Sequence, residues 1–188
     1  MSSYITANRF LTRDEMETNA KFIRDYLIAR GWTLNAIAGM LGNMESESTI
    51  NPGIWQNLDA GNTSLGFGLV QWTPATKYID WCAETGRDAS AMESALARIE
   101  YELAQGLQWI QTDEYPMTFK AFKTSTMPAS YLGMAFLYNY ERPADMNQAN
   151  RGSQAQAWYT YLEGIAPVPS VPSNKKLPLW LLLTAARR

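Results

Sequence analysis

The sequence lacks histidine altogether and has a single cysteine, Cys82, among its 188 residues. A disulfide within the chain is therefore impossible, and a zinc site built from cysteine and histidine is excluded by count. Ser-His-Asp and Cys-His nucleophile systems are excluded for the same reason. Because histidine is the usual general base near neutral pH, any enzymatic proton transfer would fall to Asp, Glu, Tyr or Lys. Among reactions that carboxyl groups perform without histidine, cleavage of glycosidic bonds comes first. We expect Cys82 to be a small buried apolar residue.

A strong charge and long apolar runs are also absent. The net charge of −2 provides no electrostatic signature for nucleic acid. No run of ~18 apolar residues occurs, so we expect no stable membrane span. The first residues are polar and lack the apolar core of a secretory signal peptide. The hydrophobic content of 46% is typical of a folded globular chain with one sizeable core.

Helical signals cover most of the chain before residue 165. Thr12 and Glu15 have the spacing of a capping box that opens a helix, and Ser90 and Glu93 have the same spacing. Apolar residues recur at helical intervals after each of them. The segment GFGLVQW, residues 66–72, is short, contains glycine and favours β structure. The sequence therefore predicts a mostly α (α+β) domain with a small β or extended element.

The composition changes at the C-terminal end of this domain. We expect the domain to occupy residues 1–164, followed by a proline-rich linker at 165–176 and an apolar docking peptide at 177–188. The spaced prolines of the linker favour an extended tail. An exposed run as apolar as LPLWLLL usually has a partner surface, so we expect it to bind other proteins of an assembly. The alternatives are that it folds back onto its own domain or inserts shallowly into a membrane.

Two acids, Glu45 and Glu47, lie in the segment GNMESESTINPG, residues 42–53, where a helix approaches a proline. On a helical wheel Glu45 continues the apolar stripe of the helix and Glu47 does not, so the helical phase favours Glu45 as the more enclosed carboxyl. The negative end of a helix dipole favours a protonated carboxyl, which suits a general acid. The alternative is that both acids are solvated residues at a helix end.

The neighbourhood of these acids resembles a known family. NMESESTINP, followed about twenty residues later by GFGLVQWTP, is similar to the motif pair of goose-type lysozymes and lytic transglycosylases. The similarity is strongest to the phage tail lysozymes, in the branch found as the lysozyme domain of tail-knob, peptidoglycan-degrading proteins of short-tailed phages like phi29. It runs from about residue 4 to 164 and includes GWT at 31–33 and YERPA at 140–144. It implies a lysozyme-like α+β fold.

The resemblance distinguishes the two acids. In this family the catalytic glutamate directly precedes serine in a Glu-Ser-x-x-Asn-Pro pattern. Both Glu45 and Glu47 precede a serine, but only Glu47 has the required spacing to Asn51 and Pro52. The resemblance therefore implies that Glu47 is the catalytic acid, against the helical phase, with Glu45 as the alternative. We expect the helix to end or bend before residue 47, so that the side chain points into a cleft.

The resemblance also implies residues that bind the substrate. Gln71 and Trp72 lie where the family lines its cleft: glutamine hydrogen-bonds sugar substituents, and a tryptophan face packs on sugar rings. The alternative for Trp72 is an ordinary core position. Asn57 and Asp59, in the loop between the two motifs, are further candidates. Asp59 is the nearest candidate for a second carboxylate, and a loop acid in an Asx-turn is an equal alternative.

The YER segment resembles the second wall of the family's cleft. Tyr140 would hydrogen-bond the substrate or position Glu47. Glu141 is a substrate-binding candidate, but we favour a structural ion pair between Glu141 and Arg142.

The activity implied by the resemblance is cleavage of the β-1,4 glycan bonds of peptidoglycan between N-acetylmuramic acid and N-acetylglucosamine. A phage tail would use it to penetrate the host cell wall. The alternatives are a lytic transglycosylase that uses the same acid and a non-catalytic wall-binding tail protein. The protein would be made in the host cytoplasm and reside in the virion tail, bound to other tail proteins through residues 177–188. Relatives in this branch carry a metallopeptidase domain that needs histidines, so we expect no zinc, no other cofactor and no peptide-bond cleavage here.

Overall fold

The structure is a computed structural model that describes residues 3–165, and seven α-helices lie within them. The helices are α1 Arg13–Ile28, α2 Leu34–Ser48, α3 Thr76–Glu84, α4 Met92–Gln105, α5 Phe119–Lys123, α6 Ala129–Phe136 and α7 Asn150–Glu163. A turn of 3-10 helix covers Gln56–Leu58, and a π-helical turn, Leu137–Glu141, continues α6. The predicted mostly helical fold is confirmed. The linker at 165–176 and the docking peptide at 177–188 lie outside the described residues, except for residue 165.

The β element predicted at residues 66–72 is present as two isolated antiparallel bridges. Phe67 pairs with Trp55 on one side and with Trp72 on the other. Gly68 allows this tight reversal, because its φ is +81° and a Cβ there would lie 3.3 Å from the Trp72 ring. The segment therefore folds back on itself and faces the end of α2.

The central element is α2. Every residue from Ala36 to Met44 is buried, and the helix packs against α1, α6 and α7. Gly42 permits the close approach of α7, because a Cβ at this position would lie 2.5 Å from the Arg151 carbonyl oxygen. Since α2 is covered on all sides, its apolar stripe does not identify one inward face.

The expectation that α2 ends or bends before residue 47 is wrong. The helix continues through Glu47 to Ser48, whose hydroxyl bonds the Met44 carbonyl oxygen 3.0 Å away. The chain turns only at Thr49 and Ile50, which both have left-handed φ angles, 53° and 55°. Glu47 therefore reaches a cleft from a regular helical position.

The remaining motif residues join the end of α2 to its surroundings. The Ser48 hydroxyl also bonds the Leu69 carbonyl oxygen at 2.8 Å, which connects α2 to residues 66–72. Asn51 is fully buried, and its Nδ2 donates to the carbonyl oxygens of Ala7 at 2.6 Å and Arg9 at 2.7 Å. Its Oδ1 accepts from the Gly53 N–H at 3.0 Å. The Ser-x-x-Asn part of the motif is therefore a scaffold that fixes the backbone on both sides of the helix end.

The two predicted capping boxes have different outcomes. The first is confirmed: the Glu15 N–H donates to Thr12 Oγ1, and the Thr12 N–H donates to the Glu15 carboxylate. The second is wrong, because α4 begins at Met92 with Ala91 as its N-cap. The Ser90 hydroxyl instead bonds Asp88 Oδ1 at 2.8 Å, within the preceding turn.

An aromatic cluster fills the core between α5, α6 and the loop that follows α4. Its members include Trp32, Trp109, Phe119, Phe122, Phe136 and Tyr140, whose rings contact one another in edge-to-face, stacked and tilted arrangements. Cys82 is 1% exposed, as expected for a small core residue. Across residues 3–165, no helix is long and apolar enough to cross a membrane.

Candidate active site

A cavity of about 490 Å³ adjoins the C-terminal end of α2. Its size lies within the range of roughly 300–1,000 Å³ that is typical of small-molecule sites. Its lining comes from the end of α2, from the loop that leads to α3 with the start of that helix, and from the region of the π-helical turn. The lining residues are Glu47, Gln56, Val70, Gln71, Trp72, Thr73, Lys77, Gln108, Tyr140, Glu141, Arg142 and Pro143. The cavity therefore contains Glu47 and four of the six predicted substrate-binding residues.

Helix α7 holds the Glu47 side chain at the edge of this cavity. Arg151 Nη2 lies 2.6 Å from Glu47 Oε1, and the Arg151 side chain is only 6% exposed. The same guanidinium donates to the Asn43 carbonyl oxygen at 2.6 Å and to Gln148 Oε1 at 2.6 Å. These contacts leave the arginine little freedom, so it fixes the position of the carboxylate. Arg151 is not predicted by the sequence, because the two partners are 104 residues apart and no local pattern joins them.

Glu45 is bound on another face of α2 and does not line the cavity. Its Oε2 accepts a hydrogen bond from Trp158 Nε1 at 2.7 Å, and Arg13 Nη1 lies 4.0 Å from its Oε1. These contacts join α1, α2 and α7. Glu45 therefore has a structural role, and Glu47 is the acid that faces the cavity.

Glu141 is a partly buried acid in the wall of the same cavity. Its Oε1 is buried and has no hydrogen-bond partner among the described residues. Burial raises the pKa of Glu141 well above its usual value, and the nearby negative charge of Glu47 raises it further. The environment therefore favours a neutral carboxyl group at this position.

The favoured ion pair between Glu141 and Arg142 is wrong. Arg142 Nη1 donates to the Asn139 carbonyl oxygen at 2.6 Å and also to the Gln108 carbonyl oxygen. A helix end leaves carbonyl oxygens without intrahelical partners, and the guanidinium satisfies them here. Arg142 therefore stabilises the turn and leaves Glu141 without an ion pair in the described part of the chain.

A second buried acid, Glu102 on α4, anchors two of the predicted site residues. It is 2% exposed and accepts from Trp72 Nε1 at 2.9 Å, from Arg98 Nε at 2.9 Å and from the Tyr140 hydroxyl. Burial raises the pKa of Tyr140, and the charge of Glu102 adds to the effect. The Trp72 ring is stacked on Tyr78 with centroids 4.3 Å apart and is 5% exposed. These contacts favour the core interpretation of Trp72, and the Tyr140 hydroxyl bonds Glu102 rather than Glu47.

Glu102 was not among the predicted site residues, although a signal for it exists. It follows Ile99 by three positions, so it falls on the apolar stripe of α4. A charged residue on such a stripe needs buried polar partners.

Gln71 lines the cavity in a constrained backbone conformation. Its φ is 48°, and its Nε2 donates to the carbonyl oxygens of Gly68 at 3.0 Å and Ile54 at 3.3 Å. A Cβ on Gly66 would lie 2.9 Å from Gln71 Oε1, so the glycine makes room for this side chain. Gln71 is therefore held rigidly at the cavity wall.

Asn57 and Asp59 are exposed and do not line the cavity. Asp59 Oδ2 accepts from Asn62 Nδ2 at 2.8 Å within its own loop. Their neighbour Gln56 lines the cavity instead, and its Oε1 accepts from the Gly66 N–H at 2.8 Å. Asp59 is thus not part of the cavity, and the acid that lines it together with Glu47 is Glu141.

Within residues 3–165, no three Cys, Asp or Glu side chains lie together in a way that could hold a metal ion.

The chain is similar to known proteins. Residues 18–162 match the family described as phage tail lysozyme. The chain is also 56% identical over 161 residues to a curated relative, morphogenesis protein 1 of Bacillus phage B103. This match covers 86% of the chain but 44% of the relative, so the chain spans less than half of the relative's length.

Proposed function

The chain belongs to the phage tail lysozyme family, and we propose on this basis that the cavity beside α2 binds a glycan strand of peptidoglycan. The protein would cleave the β-1,4 bonds between N-acetylmuramic acid and N-acetylglucosamine. The observation that carries the proposal is the position of Glu47. It is the acid of the Glu-Ser-x-x-Asn-Pro motif, it lines the cavity, and it is fixed there by Arg151.

Glu47 acts as the general acid in this proposal. A glycosidic oxygen is a poor leaving group, so it must receive a proton as its bond to the sugar carbon breaks. The rigid hold on Glu47 supports this role, because proton donation requires the carboxyl within about 3 Å of the oxygen. The positive charge that develops on the sugar needs a second carboxylate or the substrate's own N-acetyl group.

The polar lining of the cavity supports a saccharide as the substrate. Gln56, Gln71 and Gln108 all contribute to it. An amide side chain both donates and accepts hydrogen bonds, which matches the hydroxyl and acetamido groups of amino sugars. The Gln71 and Gln56 side chains are already held by backbone groups, so binding would require little further ordering.

The biological setting of this activity is part of the proposal. A related protein is named for phage morphogenesis, which supports a place in the virion. We place the protein in the phage tail, where cleavage of the cell wall would open a path for host entry. Synthesis in the host cytoplasm and binding to other tail proteins through residues 177–188 complete this proposal.

Mass analysis of muropeptides released from purified cell walls tests the function. The wild-type protein should release disaccharide fragments, and Glu47→Gln should release none while keeping the helical circular dichroism of the wild type. Reducing sugar ends identify a hydrolase, and anhydro ends identify a lytic transglycosylase with the same acid. Binding of walls without release of fragments by the wild type would contradict the proposal and favour a wall-binding tail protein.

A further inference from the structure

We infer that Glu141 is the second carboxyl group of the reaction and forms with Glu47 a coupled pair that holds one proton. This inference rests on the proposed glycosidase function and deepens it. Glu47 reaches the cavity from the last turn of α2, and Glu141 reaches it from the end of the π-helical turn. The pair is therefore built from two separate elements that meet at one cavity.

The two acids differ in the polar partners of their carboxyl oxygens. Glu47 has a charged partner, Arg151, at 2.6 Å. Glu141 has a buried Oε1 without a partner in residues 3–165, although an arginine follows it in sequence. Arg142 is directed to carbonyl oxygens. A buried carboxylate oxygen without a donor is costly, and protonation of the group removes most of that cost.

The charged groups around Glu141 affect its pKa in opposite directions. Glu47 from α2 and Glu102 from α4 add negative charge, while Arg151 from α7 and Arg142 from the turn oppose it. Burial is the largest influence, and the outcome is a pKa of Glu141 well above its usual value. When two nearby carboxyls have such different environments, one of them holds a proton and the other is charged. A glycosidase requires such a pair.

The reaction balances with one shared proton. In the free protein the proton resides on Glu141. It passes to Glu47 as the glycosidic bond breaks, because the positive charge that develops on the sugar then favours a charged Glu141. Glu47 then gives the proton to the glycosidic oxygen, and the electron pair of the broken carbon–oxygen bond stays on that oxygen. The Glu141 carboxylate balances the positive sugar. Addition of water, or of a hydroxyl of the same sugar, returns one proton to the pair.

A comparison of pH–rate profiles tests the inference. Glu141→Gln is nearly the same size and cannot store the proton, so we expect kcat on cell walls to fall by about 100-fold with little change in KM. The alkaline limb of the profile should also move to lower pH. Glu84→Gln, which alters an exposed acid at the end of α3, is the matched control and should superimpose on the wild type. A wild-type profile for Glu141→Gln would overturn the inference and leave the glycosidase function intact.

Carbon-13 NMR of the glutamate carboxyls provides a test that does not depend on activity. In Glu47→Gln, the titration midpoint of Glu141 should move to lower pH, because a negative charge that raises its pKa has been removed. An unchanged midpoint would show that the two groups are not coupled and would overturn the inference. If the wild-type protein released no muropeptides, the proposed function would fail, and this titration would still decide whether the pair exists.

Discussion

Arg151 on α7 and Glu47 on α2 form an ion pair with 2.6 Å between Nη2 and Oε1, at the edge of the cavity. The pair joins the acid of the sequence motif to a helix that begins about a hundred residues later. The position of the proposed catalytic acid therefore depends on the packing of α2 against α7.

Removal of the Arg151 charge should destabilise the protein. Arg151→Gln leaves Glu47 without its counter-charge and takes donors from the Asn43 carbonyl oxygen, so we expect the free energy of unfolding to fall by about 3 kcal/mol. Urea unfolding measures this change. Arg9→Gln is the control, because its ion pair with Glu15 is exposed and its loss should change the stability much less. Equal, small losses for both variants would contradict the anchoring role.

The two acids of the motif should differ in their effect on lysis. We expect Glu47→Gln to lower the rate of cell-wall lysis by at least about 100-fold. Glu45→Gln should lyse at the wild-type rate, because the glutamine oxygen can still accept from Trp158 Nε1 and lies outside the cavity lining. Turbidity of a wall suspension follows both rates. Loss of lysis in Glu45→Gln with normal lysis in Glu47→Gln would reverse the assignment.

Substitution of Gly42 should separate α2 from α7. The Cβ of Gly42→Ala would lie 2.5 Å from the Arg151 carbonyl oxygen and 2.6 Å from the Ala155 nitrogen, both backbone atoms that cannot rotate away. We expect a loss of roughly 3 kcal/mol or more in the free energy of unfolding, measured by denaturant titration. Gly164→Ala is the matched control, since its nearest atom would be 3.7 Å away, and its stability should be close to that of the wild type.

The stability of the protein should depend on pH through Glu141. Its pKa is raised in the folded state, so the unfolded chain loses this proton first as the pH rises. The favourable contribution of the neutral group is complete below the unfolded pKa of about 4.3 and declines as the pH rises toward the folded pKa. Glu141→Gln removes this decline. Its melting temperature relative to the wild type should therefore increase from pH 4 to pH 7, and a constant difference would contradict a raised pKa.

Substitution of Trp72 distinguishes a core role from sugar stacking. Trp72→Phe removes the donor to Glu102 and leaves a buried carboxylate oxygen short of a partner, so we expect a loss of about 1–3 kcal/mol in the free energy of unfolding. The melting temperature should fall, while the KM for soluble glycan fragments should change little. A large rise in KM with unchanged thermal stability would favour sugar stacking.

The reliable predictions from sequence were local ones or those set by the motif pair. The capping box at Thr12, the helices and the burial of Cys82 follow from spacing and composition within a few residues or one turn. The Glu-Ser-x-x-Asn-Pro pattern identified Glu47 as the candidate acid, and the structure places it at the cavity. The helical wheel favoured Glu45, because a wheel assumes that one face is buried, whereas α2 is enclosed on all sides.

Two of the failed predictions concern partners that sequence spacing cannot identify. Glu141 and Arg142 are adjacent in sequence, yet the arginine binds carbonyl oxygens released at a helix end and leaves the acid alone. Ser90 has the spacing of a capping residue but bonds Asp88 within its turn. In each case a nearer backbone or turn group competed for the same side chain.

The sequence by itself limited the side chains that could transfer a proton within these 188 residues: without histidine they are Asp, Glu, Tyr or Lys, and the motif makes Glu47 the candidate. Only the tertiary structure decided which groups surround that carboxyl. Glu141 lines the same cavity as Glu47, while Arg151 and Glu102 bond residues that line it, and all three come from helices or turns far apart in the chain. Burial and the charges of neighbours set the protonation of an acid, and both are properties of the folded chain rather than of local sequence.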